Sequence, residues 1–464
     1  MANSYADSST HTTTLVRQLG LLSAIFICMS NEIGSGVFLV GTDIANSVSE
    51  PFMGLLTWII GGAITLAGAL IFAELGTMFP QAGGQYVFLR EAFHPVISFL
   101  FGWTLIMVIQ TGSIAGVAVA FSKFLNPFMT TPLVDPRPEM HGALTFLGNM
   151  FSSAIIVVLT MLNFLGIKRG AKILDAITWV KVIAILGIII FIMSAAPTIS
   201  ASPIVLQTGN YTLSGFGVAL LAAFWGYDGW YSITFVAGEM KNPARDIPLS
   251  SLIAIVATCT LYSLCSYCYY HVLSHDQIVK SSFLAADAVH VLAGDLGVKI
   301  LGIIVVVSVI GCINAMIISG ARVAYAMAKD KVLPPWLAEV NPKTHSPNRS
   351  LVMQMIWSII LVWSGKYDDL FTYVIFGAFM FYGLTAFGLF WLRWKKPDVQ
   401  RPYKVPFYPV LPALYVLFTI CLTINTLIEK PRESGWGLII IGTGLPAYFI
   451  LRKVTAKHRL PQSN

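Results

Sequence analysis

Long apolar runs separated by short polar segments dominate the chain, and their lengths are those of membrane-crossing helices. About 20 predominantly apolar residues span the hydrocarbon core. Runs of this kind recur at 19–46, 52–76, 94–123, 144–166, 173–195, 214–237, 249–273, 288–327, 350–364, 369–393, 409–428 and 435–452. The pattern predicts an all-α polytopic membrane protein with twelve transmembrane helices. The first, third and eighth runs exceed the required length, so they are expected to tilt or break, whereas the ninth is short. The longest hydrophilic stretch, Lys329 to Ser350, reads as a proline-rich loop rather than a separate domain. The chain therefore divides into a polar tail (1–18), one membrane domain (19–452) and a second tail (453–464). Nothing in the first eighteen residues has the charged, apolar, small-residue order of a cleaved signal, and none is expected.

Two interruptions stand out within these runs. Residues 31–38 read NEIGSGVF and residues 225–232 read WGYDGWYS, placing glycine, acid and hydroxyl side chains inside otherwise apolar spans. In hydrocarbon an unpaired backbone N–H or C=O is costly, so non-helical backbone survives only inside protein or beside a polar cavity. Gly34 and Gly36 permit close approach to bare amides, and Ser35 adds a hydroxyl at the same level. Broken helices present amino ends that attract carboxylates and carboxyl ends whose carbonyls attract cations, which together complement a zwitterion. The alternative for Gly34–Ser35–Gly36 is close helix packing through small residues. Glu32 beside them favours a pathway, because ionisable groups at membrane depth usually face one.

Of the 464 residues, 56% are hydrophobic and 11% charged, against about 25% charged in soluble domains. The net charge of +7 is compatible with nucleic acid or a membrane surface. The basic residues lie in short loops between apolar runs, which favours the membrane and argues against nucleic acid. With both termini cytoplasmic, twenty Lys and Arg fall inside, seven fall outside, and Lys181 and Arg322 lie within spans. That asymmetry predicts a multi-pass protein of the cell membrane with both ends in the cytoplasm. All six cysteines sit in apolar runs and read as packing thiols. His271 and His275 lack a third ligand, so neither a metal nor a cofactor is expected. An enzyme needs a nucleophile with its base or a metal cluster, and a channel needs a filter or rings of charge; neither is found. The sequence Asn210–Thr212 has the pattern of a glycosylation acceptor.

Four segments together, NEIGSGVFLV, FAELGTMFPQAGGQYVFLREAF (72–93), FWGYDGWYSITFVAGEMKNPARDIP (224–248) and ARVAYAMAKDKVLP (321–334), resemble the amino acid/polyamine/organocation superfamily. The chain is most similar to its L-type amino acid transporter branch and bacterial relatives. The resemblance implies an inverted five-plus-five repeat, with repeat one about 19–195, repeat two about 214–393 and two extra helices over 409–452. It implies discontinuous spans one and six and transport by alternating access. At matching positions, the amides of Ser35 and Gly36 and the Ser35 hydroxyl would hold a substrate carboxylate. Carbonyls near Glu32 and Ile33, and around Trp225, Gly226 and Asp228, would hold its amino group, with Trp225 as an aromatic gate.

Lys181 has no acidic residue nearby in its own span except Asp175, and a lone ammonium at that depth needs a partner. It matches a fifth-span lysine of the L-type branch, which implies contact with the interrupted first span in place of a sodium ion. Glu32 and Asp228 depart from many relatives, which carry apolar or small residues there. They either recognise a cationic side chain, exchange protons, or pair silently with Lys181 or a backbone amide. Glu74, Glu239, Arg245 and Arg322 are candidates for an inner gate or a structural brace. The outer loop containing NPFMTTPLVDPRPEMHG has no cysteine of the kind that joins heteromeric L-type transporters to a glycoprotein, so no covalent heavy-chain partner is expected. The combined expectation is a sodium-independent exchanger or proton-linked carrier of small to medium neutral L-amino acids. The alternatives are a carrier of cationic amino acids or polyamines using Glu32 and Asp228 and, further away, an ion channel.

Overall fold

The computed structural model describes residues 14–48, 50–137, 143–195, 212–281, 283–365 and 367–457. Asn210 of the acceptor pattern, most of both tails and residues 138–142 of the cysteine-free loop lie outside them. The described residues are helical, with isolated bridges but no strand. Among the described residues, ten helices are long and apolar enough to cross a membrane.

The first span is α1 (Leu21–Glu32), a break over residues 33–35, then α2 (Gly36–Leu39) and α3 (Gly41–Ser47). It is followed by α4 (Pro51–Met78), the short α5 (Gln85–Ala92), and α6 (Pro95–Thr104), which runs through a π turn at Leu105–Ile109 into α7 (Gln110–Leu125). Next come α8 (Phe146–Asn163), α9 (Ile167–Ala195), α10 (Leu213–Gly226), α11 (Ser232–Phe235), α12 (Pro243–Val272) and α13 (His275–Lys280). The chain closes with α14 (Leu284–Lys329), α15 (Asn348–Ser364), α16 (Tyr367–Lys395), α17 (Val410–Glu429) and α18 (Pro431–Lys457). Proline in the first turn of α4, α6 and α12 starts each helix where its missing N–H is no loss.

The expected break in the sixth span is present: α10 stops at Gly226 and α11 starts at Ser232, with Gly229 between them at φ +95°. The ninth span, expected to be short, is the 17-residue α15. The start of the fifth span differs. α9 starts at Ile167 rather than near 173, with Lys168, Arg169 and Lys172 in its opening turns and exposed. Polar residues extend a helix beyond its apolar run when they project away from the core.

α1 lies among α9, α12 and α14, while α4 runs along α12 and α7 packs on α14, α15 and α8. In the helical stretch Pro95–Phe128, 89% of the most apolar window is buried, against 28% in α9 and 22% in α18. The former is therefore central, and the latter two are peripheral. α9 accordingly turns Val180, Ile183 and Ile190 outward, as a lipid-facing surface requires.

Glycine sets the α4–α12 contact, since a Cβ on Gly54 would stand 2.0 Å from the Tyr270 hydroxyl. Gly54→Ala is expected to destabilise the protein by about 1–3 kcal/mol through overpacking, read as a lowered Tm in detergent. Gly187→Ala, with no atom within 4 Å of the new carbon, is the control and should leave Tm unchanged or raised.

Candidate functional site

The two interrupted spans meet at their breaks. A Cβ on Gly36 would lie 2.8 Å from the Gly226 Cα, and one on Gly229 would lie 2.6 Å from the Asn31 Cβ. Both crossings therefore require glycine. Asn31 Nδ2 donates to Ser232 Oγ at 2.9 Å and to Ile27 O at 2.8 Å, tying α1 to the restart of the sixth span.

Side chains from neighbouring helices occupy the carbonyls freed by the first break. Lys181 of α9, fully buried, donates from Nζ to Ile33 O at 2.8 Å and to Ser30 O at 3.2 Å. Ser308 of α14 lies 3.2 Å from both Ile33 O and Gly34 O. The Cys312 thiol donates to Asn31 O at 3.3 Å. The Tyr262 hydroxyl of α12 lies 2.8 Å from Glu32 O and 2.9 Å from Gly226 O, so one group bridges both breaks. The amides of Ser35 and Gly36, by contrast, meet no backbone acceptor among the described residues.

A small cavity of about 10 Å³, room for a single water, lies at this crossing, lined by Glu32, Gly34, Ser35, Gly36, Trp225 and Asp228 among others. It adjoins a vestibule of about 550 Å³ whose wall also includes Ser35 and Trp225, and whose charged residues are Asp43, Lys123 and Lys430. Trp225 is half-buried between the two spaces. Asp228 Oδ2 accepts from Ser113 Oγ at 3.4 Å, and its Oδ1 accepts from the Tyr382 hydroxyl at 3.5 Å. Both contacts are long for a carboxylate.

Of the residues singled out from sequence, Glu32, Gly34, Ser35, Gly36, Trp225 and Asp228 line this one cavity. Ile33 and Gly226 lie at the breaks, and Lys181 lies behind the first. The gate candidates do not form a single cluster. Arg322 and Glu239 make a buried two-point pair, Nε–Oε1 at 2.8 Å and Nη2–Oε2 at 3.3 Å. Glu74 pairs instead with Arg393 at 2.9 and 2.6 Å and accepts the Val405 amide at 2.7 Å. Arg245 is exposed and joins neither group.

The Glu239–Arg322 pair sits where the chain enters α1. There the amides of Gln18 and Leu19 donate to Glu239 O at 2.8 and 2.9 Å, and the Lys241 amide donates to Leu19 O at 2.9 Å. Sequence reasoning missed Tyr262, Ser308, Cys312 and Arg393. Ser308 and Cys312 are four apart in an apolar span and so share a face, which was a usable signal. A tyrosine among the many of α12, or an arginine at the end of α16, carried none.

Two interrupted spans that cross at a small cavity, within a bundle of helices of membrane-spanning length, define a multi-pass membrane protein. The comparisons agree and specify the class. The amino acid permease family matches residues 19–446, and the chain belongs to that family. It is similar to a serine/threonine exchanger of Bacillus subtilis (strain 168), 29% identical over 95% of this chain and 98% of the relative. It is also similar to the mouse b(0,+)-type amino acid transporter 1, 28% identical over 96% and 91%. The human large neutral amino acids transporter small subunit 2 is 30% identical over 94% and 80%. The chain is thus an amino acid transporter and not an enzyme.

Lys181→Met removes the donors to Ser30 O and Ile33 O while keeping an unbranched side chain one atom shorter. Leaving buried acceptors unpaired costs about 1–3 kcal/mol, so uptake per folded protein is expected to fall about tenfold or more. Wild-type uptake by this variant would show that the lysine contributes nothing to holding the break.

Proposed function

We propose that the protein is a sodium-independent secondary transporter that carries small to medium neutral L-amino acids by alternating access, as an exchanger or a proton-linked carrier. The observation that carries this reading is the pairing, around one cavity, of unbonded amides at Ser35 and Gly36 with carbonyls at the ends of α1 and α10. The amides and the Ser35 hydroxyl receive the α-carboxylate. Carbonyls near Glu32, Ile33, Trp225 and Gly226 receive the ammonium group. Trp225 covers the ligand from the vestibule side. Lys181, donating to the break, takes the place a coupling cation would otherwise fill.

The same reading makes α1–α9 and α10–α16 an inverted pair of five-span repeats, with α17 and α18 added, twelve spans in all. Both termini then lie in the cytoplasm and the protein in the cell membrane, as the lysine and arginine bias favours. The vestibule faces outward, and Glu239–Arg322 belongs to the closed inner gate, to be broken in each half-cycle. No covalent partner is needed, since the third-to-fourth loop has no cysteine.

Purified protein in proteoliposomes tests this reading. Labelled L-amino acid uptake should saturate, persist when choline replaces sodium, and accelerate with unlabelled substrate on the far side. Analogues lacking either the α-amine or the α-carboxylate should compete poorly. Linear flux without acceleration, or equal competition by those analogues, would sink the proposal. The long contacts of Asp228 favour one second reading, recognition of a cationic side chain. In that case Asp228→Asn abolishes cationic uptake and spares neutral substrates, a split that a competition panel reads directly.

A further inference from the structure

Glu32 is the one acid of α1, and the site described above leaves its carboxyl group without a settled task. It ends α1, is 2% exposed and lines the central cavity. Its Oε1 accepts only the weak Cys28 thiol, at 3.4 Å, and its Oε2 has no hydrogen-bond partner. The Thr258 hydroxyl of α12 faces it, and that oxygen also has no well-aligned partner.

The charged and titratable neighbours are accounted for from each side. Cys28 lies one turn back on α1. The ammonium of Lys181, from α9, is committed to the Ser30 and Ile33 carbonyls. Asp228, at the second break, lines the same cavity and offers Glu32 no hydrogen bond. The Tyr227 hydroxyl donates to Trp58 O, Tyr262 bridges two carbonyls, and the Cys312 thiol of α14 donates to Asn31 O. None supplies a donor to Oε2. The carboxyl end of a helix adds partial negative charge at the same point, and a buried charge needs both a counter-charge and hydrogen bonds.

We propose that Glu32 is a proton site from which a substrate's ammonium group displaces the proton, so that binding an amino acid releases one proton. The proposal rests on the reading of the site given above. In the empty carrier the proton forms an O–H bond on Oε2 that points to Thr258 Oγ1, and this one proton satisfies both orphaned oxygens. The incoming ammonium docks at the neighbouring carbonyls and brings its own positive charge. The O–H bond then breaks, the electron pair stays on the carboxylate, and the proton leaves through the vestibule. One positive charge replaces another, so the site's charge balance is preserved.

The test uses purified full-length protein in a weakly buffered solution, with L-serine and L-alanine as probes and a pH indicator as the readout alongside calorimetric binding. Wild type should release a proton on binding, with affinity rising by up to about tenfold per pH unit where release is complete. Glu32→Gln should bind without release and with a flat pH profile, while Glu32→Asp should restore both. Absence of release from wild type overturns the proposal even if neither variant folds. Release that persists in Glu32→Gln also overturns it, since the proton then comes from Lys181 or Asp228. Sodium-dependent binding lost in Glu32→Gln would assign the two oxygens to a metal cation and overturn it as well. Proton-silent binding leaves the transport reading intact, whereas failure of every amino acid to bind removes both.

Discussion

Backbone groups released from a helix within the bilayer must find partners, and the arrangement around the two breaks follows from that requirement. Residues 33–35 leave the helical ladder where water is absent. Lys181, Ser308, Cys312 and Tyr262, from three different helices, each supply donors to the freed carbonyls. The break is thus held by tertiary contacts rather than by its own hydrogen bonds. That explains why α1 sits among α9, α12 and α14, since only there can side chains reach it from three sides. The amides on the other side of the break stay open to the cavity. The result is a polarised gap, with carbonyls steadied by side-chain donors on one side and the Ser35 and Gly36 amides, without a backbone acceptor, on the other.

The same contacts couple the site to the ends of the bundle. Tyr262 bridges the two breaks, so a relative shift of α1 and α10 changes what its single proton can bond. Arg322 and Glu239 lock the segment after α11 to α14, and the backbone of Glu239 holds the chain entering α1. A buried ion pair is expensive to expose, and its value lies in specifying one arrangement over another. Glu74 with Arg393 and Arg401 fastens the loop after α16 to α4, a separate brace.

Much of this was legible in the chain. Hydrophobic run length announced the helices, and the interruptions at Gly34–Gly36 and Gly226–Gly229 announced the cavity, because glycine and acid at membrane depth have few uses. The sixth span shows the limit of run length. Residues 214–237 are apolar throughout most of their length, yet the helix ends at Gly226, a conformational event that hydropathy does not register. The grouping of Glu74, Glu239, Arg245 and Arg322 fails for a similar reason. All four were placed at one face by topology, but which arginine meets which acid depends on side-chain reach across helices. Arg393, from the far end of the chain, takes the partner that nearness in the motif had suggested for others.

The order of apolar runs, the places where helices cannot continue and the identity of the residues at those places were fixed by the sequence, because hydrophobic transfer and backbone strain act locally. Only the tertiary structure decided which carbonyls Lys181 and Tyr262 would satisfy, that Gly36 and Gly226 would touch, and that Glu32 Oε2 would be left without a hydrogen-bond partner. Those outcomes depend on the crossing of helices far apart in the chain, where shifts of an ångström determine whether a hydrogen bond exists.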